Sequence, residues 1–300
     1  MINFEKIYGI SFENLAKKIN KQLERKYSEP ITIDWEVFTK DCIDPQPDDW
    51  LVVYDKNNAG EVMTKKVGNI EFIIFSFIDV DVRNEIVEKT KDYIAQNLEL
   101  INESELESSI QLILVQNREE VKKFTGNRLG GMAHFNSQEG IHSITSVFND
   151  TVNVLKHELM HAVSVEKWGE YGSNLLWLTE GLAVFAAPDT EECTGYTLEE
   201  RYAYLLQNNR LLDISELIAF PWTRTSYSQA GYIVKYLIER FGVEKLKLFW
   251  QSGMDNFEKV YGLKYEEMIS EINSELNKKY SSPIGLEWKT FNKDCIENID

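Results

Sequence analysis

The strongest chemical signal in the chain is His157-Glu158-Leu159-Met160-His161, two histidines one helical turn apart with an acid after the first, an HExxH pattern. On a helix, residues i and i+4 share a face, so both imidazoles can hold one tetrahedral Zn²⁺. Glu158 then stands beside that metal, where a carboxylate can take a proton from a water. All four histidines (His134, His142, His157, His161) fall within 134–161. The bland alternative is a pair of surface histidines on an amphipathic helix. A catalytic zinc needs a third protein ligand and an open fourth position. Glu180, in Trp177-Leu178-Thr179-Glu180-Gly181, is the candidate, with 18 residues between it and His161. That gap suits a turn and a second helix running back past the first.

With that spacing the chain resembles the gluzincin metallopeptidases, in particular peptidase MA-like domains and the aminopeptidase N and leukotriene A4 hydrolase family, whose HExxH-x18-E pattern it reproduces. The resemblance runs from about Gly68 to Tyr280 and is densest at the metal triad. It implies a thermolysin-like zincin of the α+β class, with a small mixed sheet beside a mostly helical C-terminal lobe. It further implies zinc-dependent hydrolysis of peptide bonds by a metal-activated water, with Glu158 as general base. In the family a Tyr at the head of a later helix donates to the oxyanion. Tyr227, in Tyr227-Ser228-Gln229-Ala230-Gly231, matches that position, with Tyr232 as a weaker substitute. A Gly-x-Met-Glu-Asn stretch upstream of the metal motif forms the family's substrate-pairing edge strand. Here it reads Gly130-Gly131-Met132-Ala133-His134. Gly131, Met132, Ala133 and His134 are therefore the candidate substrate-binding residues, but Ala133 replaces the Glu that holds a free amino terminus, which puts aminopeptidase activity in doubt. Asn153, one turn before His157, is a candidate acceptor for a ligand imidazole's second N–H. The rival readings are a catalytically silent zincin scaffold used for binding or assembly, and a zinc hydrolase of a non-peptide substrate.

The elements that must position these residues read as mixed. Trp50–Tyr54 and Ile70–Ile78 are strand candidates, and Asp81–Leu98 has helical periodicity. Ile110–Val115 reads as a strand, Arg118–Phe124 as a short helix, and Gly131–Phe135 and Gly140–Val147 as two more strands. His134 and His142 are expected on exposed strand faces, the alternative being that they face the cleft as substrate or transition-state contacts. From Thr151 onward nearly everything is helical, with breaks at Gly169–Ser173, Pro188–Gly195 and Pro221. Strands followed by helices give an α+β domain.

A repeat frames this body. Comparing 3–43 with 256–296 at an offset of 253 gives 21 identities in 41 positions, from Asn3-Phe4-Glu5-Lys6 against Asn256-Phe257-Glu258-Lys259 to Lys40-Asp41-Cys42-Ile43 against Lys293-Asp294-Cys295-Ile296. The organisation expected is a repeat segment at 1–43, a linker at 44–67, the metallopeptidase domain at 68–282 and a repeat tail at 283–300. The copies either bracket a central domain or belong to a tandem array of larger units. The array is favoured because the pattern starts and stops midway. Duplication for packing alone stays open.

Composition bounds the partners. The 300 residues carry 32 basic and 49 acidic side chains, a net charge of −17. Such a surface repels phosphate backbones and anionic membranes, which argues against a nucleic-acid or membrane partner and for a peptide or protein substrate, weakly a basic one. No apolar run approaches the roughly 20 residues of a membrane span, and no secretory signal is visible. Cys42, Cys193 and Cys295 are widely spaced and read as thiols of a reducing compartment, hence a cytoplasmic protein.

Overall fold

The computed structural model describes residues 14, 17, 18, 21, 51–55, 60–75, 80–136, 140–147, 154–187 and 194–293. The chain divides into two units, residues 1–49 and 50–300. The second unit is α+β. Among its described residues, six strands form one mixed sheet: β1 (Leu51–Asp55), β2 (Gly60–Val67), β3 (Ile70–Phe75), β4 (Ser109–Val115), β5 (Gly131–Asn136) and β6 (Ile141–Val147), in the order β1-β2-β3-β4-β6-β5. The β3–β4 and β4–β6 pairs are parallel and the others antiparallel. The stretch expected as a linker at 44–67 therefore includes two sheet strands. Its alternation was hidden because Lys65 and Lys66 put a charge on each face of β2, which a strand near a sheet edge tolerates.

Helix α1 (Val80–Leu100) follows β3, and α2 (Arg118–Thr125) follows β4. Asn117 caps α2 by accepting from the Glu120 N–H. The HExxH segment is α3 (Val154–Trp168), and Glu180 lies on α4 (Leu176–Ala186). Then come α5 (Leu198–Gln207), α6 (Ile214–Ala219), α7 (Arg224–Phe241) and α8 (Val243–Ser252). The main core lies between the sheet and α1 and α3 (Phe72, Ile74, Leu112, Leu114 and Ile144) and continues around α4 and α7. Central placement explains α4: in Leu-Trp-Leu-Thr-Glu-Gly-Leu-Ala-Val-Phe-Ala nearly every side chain is apolar because nearly every face is covered. Among the described residues no helix is long and apolar enough to cross a membrane.

The C-terminal repeat copy is packed structure rather than a tail. A 3₁₀ turn (Met254–Asn256) leads into α9 (Phe257–Tyr261), α10 (Tyr265–Lys279) and α11 (Trp288–Phe291). Gln207 ties the segment down, donating to the Tyr280 carbonyl at 2.9 Å and accepting from the Ile284 N–H at 2.9 Å. Leu286 and Phe291 bury against Tyr204 and Leu205, and the Arg210 guanidinium stacks 3.9 Å above the Trp288 ring. Nine described positions of this copy are buried: Phe257, Val260, Tyr261, Tyr265, Met268, Ile272, Leu276, Leu286 and Phe291. At the same offset the N-terminal copy carries Phe4, Ile7, Tyr8, Phe12, Leu15, Ile19, Leu23, Ile33 and Phe38, an apolar or aromatic residue at every one. The structural reading of 1–43 itself lies outside the described residues.

His142 is not on an exposed face. It is 1% exposed, because β6 is an inner strand with β4 on one side and β5 on the other. Phe135 stacks on its ring at 4.4 Å, and its Nε2 lies 3.9 Å from Glu166 Oε2. Glu166 accepts from the backbone N–H groups of Glu107 and Ser108 and pairs with Lys167 at 3.0 Å. Burial pushes the His142 imidazole below its ordinary value near 6.5, against the pull of Glu166. The unfolded chain therefore binds the proton that the native state refuses, so His142 makes stability fall as pH drops below about 6.5. A His142→Gln variant should lose stability more slowly than wild type between pH 7 and 5.5, as read by urea midpoints. Parallel pH profiles would count against this role.

Candidate metal centre

His157 and His161 face the cleft from adjacent turns of α3, and Glu180 reaches them from α4. The three ligand atoms form a small triangle. His157 Nε2 to His161 Nε2 is 3.2 Å, His157 Nε2 to Glu180 Oε2 is 3.3 Å, and His161 Nε2 to Glu180 Oε2 is 3.6 Å. Corners of a tetrahedron with bonds of about 2.0–2.1 Å stand about 3.3–3.4 Å apart, so the triangle has the dimensions of one face of such a site. Among the described residues this is the one cluster of three or more histidine, cysteine or acidic side chains that could hold a metal.

Electrostatics favour the same arrangement. Glu180 is 7% exposed. Burial opposes its ionisation, but His161 and His157 hold its carboxyl well below the usual carboxylate range. Burial also disfavours an imidazolium at His161, yet Glu180 and Glu158 outweigh it and push the group up to about 9. The buried Glu180 and the two half-buried imidazoles thus hold one another in place by opposite charge and hydrogen bonds.

Glu158 points from α3 toward β5. Burial raises its carboxyl above the ordinary value, against the pull of His157 and His161, and it accepts a hydrogen bond from the Ala133 backbone N–H. The contact explains Gly131. A Cβ there would lie 2.7 Å from Glu158 Cγ and from Glu158 Oε1, so only glycine leaves room for this carboxylate. The strand expected at Gly131–Phe135 spans Gly131–Asn136 and lies at the end of the sheet, the placement the resemblance implied. Gly131, Met132 and Ala133 line the cleft; His134 is exposed and does not.

Tyr227 is positioned by helix packing. Gly181 and Gly231 let α4 and α7 approach closely, since a Cβ on Gly181 would meet the Ala230 carbonyl oxygen at 2.7 Å and one on Gly231 would meet Val184 Cγ1 at 2.6 Å. Glu180 immediately precedes the first glycine, and Tyr227 lies one turn before the second. A capping box between Thr223 and Ser226 fixes where α7 starts. The Tyr227 ring stands 6.3 Å from that of His157. Burial and the nearby Glu180 and Glu158 raise its phenol above the ordinary value, which keeps it a neutral donor. Tyr232 instead packs on Tyr202 at 4.8 Å and does not line the cleft. Asn153 lies outside the described residues.

These residues line a cleft of about 870 Å³. Sequence reasoning missed several others on its walls: Arg118, Arg201, Arg224, Trp222 and Asn292. Arg224 donates to the Lys293 carbonyl at 2.7 Å, so the C-terminal repeat copy forms part of the cleft wall. None of these carries a local motif, and only folding brings them together. Neither a protein-family model nor a curated protein matches the chain, so the functional conclusion is drawn from the site's own geometry.

The close crossing of α4 and α7 gives a direct test. Gly181→Ala should cost about 1–3 kcal/mol, because a backbone carbonyl must move, and should weaken metal affinity by shifting Glu180. Urea unfolding and a chelator-competition titration read both. An unchanged midpoint with unchanged affinity would show that the crossing does not set the site.

Proposed function

We propose that the protein is a zinc-dependent peptide hydrolase of the gluzincin type with a thermolysin-like fold. The observation that carries this reading is the triangle of His157, His161 and Glu180, with edges of 3.2, 3.3 and 3.6 Å, opening into a cleft beside a buried carboxylate. Two imidazoles and one carboxylate are a donor set that suits Zn²⁺, and a three-ligand site leaves a position open. Zinc bound there would supply Lewis acidity, polarising a scissile carbonyl and making water acidic near pH 7.

The chain's own groups account for the remaining chemistry. Glu158 takes a proton from the attacking water as the new C–O bond forms, then gives it to the departing amine nitrogen as the C–N bond breaks. Its raised pKa suits both halves of that shuttle. Tyr227, held neutral, donates from its Oη to the oxygen on which negative charge develops. The outer edge of β5, unpaired by any described strand, offers main-chain groups to an extended substrate beside the Ala133 N–H that Glu158 engages, which favours a peptide over a compact small molecule. Gly131 keeps that edge close to Glu158. The rim has Ala133 where a carboxylate would be needed to hold a free amino terminus, so cleavage inside a chain fits better than removal of its first residue.

Glu158→Gln should retain zinc and lose hydrolysis of a quenched-fluorescence peptide library by about 10²–10⁴-fold. Wild-type turnover in that variant would remove Glu158 from the mechanism.

A further inference from the structure

The loop between α6 and α7 is built in an uncommon way. Phe220 has φ 44° and Trp222 φ 55°, both in the left-handed region that bulky side chains avoid, with Pro221 between them. The loop is clamped on both sides: Phe220 ends α6 as its cap, and Thr223 caps α7. Phe220 is fully buried, whereas Trp222 is 53% exposed. Strained backbone and a large exposed apolar ring both work against stability, and such strain concentrates where a binding surface must be presented. The indole is not idle. It lines the cleft, sits 5.2 Å from Phe220 and 6.3 Å from Tyr227, and Tyr227 in turn faces His157.

We infer that Trp222 is a specificity-determining residue, whose indole takes a large apolar side chain of the substrate beside the bond to be cleaved. This rests on the hydrolase reading for the word substrate. The cleft itself chooses between apolar and cationic occupants of that indole. A cation could also stack on Trp222, but outside the metal triad and Glu158 the charged side chains on the cleft's described walls are Arg118, Arg201 and Arg224. The remaining lining carries no charge and includes the apolar side chains of Leu129, Met132, Val165 and Leu176, beside Thr179, Thr223, Ser228 and Asn292. A lysine or arginine side chain would find no carboxylate among the described lining residues outside Glu158 and Glu180 to pair with. The basic substrate suggested by the net charge of −17 is therefore replaced by an apolar one.

The test separates binding from turnover. Zinc-loaded Glu158→Gln protein is titrated calorimetrically with three blocked pentapeptides, acetyl-Ala-Ala-Xaa-Ala-Ala-amide with Xaa as Phe, Ala or Lys, and the same is done with Trp222→Ala and Trp222→Phe added. The expected order is Phe tightest and Lys no better than Ala. Trp222→Ala should weaken the Phe peptide about tenfold while moving the Ala peptide less than about twofold, and Trp222→Phe should keep most of the preference. Equal losses for the Phe and Ala peptides, a Lys peptide bound more tightly than the Phe peptide, or no binding of any peptide up to millimolar concentration would overturn the inference. If wild-type protein cleaves none of the peptides while the Trp222-dependent order persists, the hydrolase reading fails and the binding inference stands.

Discussion

Glu180 is a carboxylate buried in the middle of an otherwise apolar helix, and a charge so placed is costly unless opposite charge and hydrogen bonds surround it. Much of the local design follows from that constraint. Its partners, His157 and His161, must lie one turn apart on a single helix face. The helix that carries them must be buried on its other sides, so α3 runs between the sheet and the helical lobe. A metal cation in the triangle would neutralise the carboxylate more completely than two imidazoles can, which gives the arrangement its physical sense.

The same constraint reaches outward through small residues. Gly181 and Gly231 bring α4 and α7 into backbone contact, so one crossing delivers both Glu180 and Tyr227 to the cleft. Gly131 does the equivalent for the sheet, letting the edge strand pass close beside Glu158. Three glycines in different elements thus set how closely Glu180, Glu158 and Tyr227 approach one another. The C-terminal repeat copy closes the ring, since Lys293 anchors Arg224 and Asn292 reaches the cleft. A duplicated element that shapes the cleft is more than decoration on the scaffold.

What the sequence revealed and what it hid divide along physical lines. The cluster of His157, His161 and Glu180 was legible because HExxH is a local statement about one helix face and because Glu180 is the sole charge in an apolar stretch. A strand at 131–135 was read from the sequence, and its edge placement was implied only by the family resemblance. The strand at 51–55 was legible as the short apolar run at 50–54, whereas 60–67 was obscured by lysines on both faces, and 283–293 by a short, proline-led run whose few apolar residues find partners on α5 and the segments flanking it. His142 looked exposed because it is a polar residue in a strand that also carries Ser143, Thr145 and Ser146, yet inner placement in the sheet buries it. Trp222 and the three arginines had no local signal at all. Their meaning lies in a wall assembled from segments that are distant in the chain.

The central claim is that His157, His161 and Glu180 together hold one zinc ion. Elemental analysis of the purified protein beside its His157→Ala variant tests it most directly. The proposal predicts one zinc per chain in the wild type and none in the variant. Absence of zinc from the wild type even after incubation with the metal, or full retention by the variant, would contradict it.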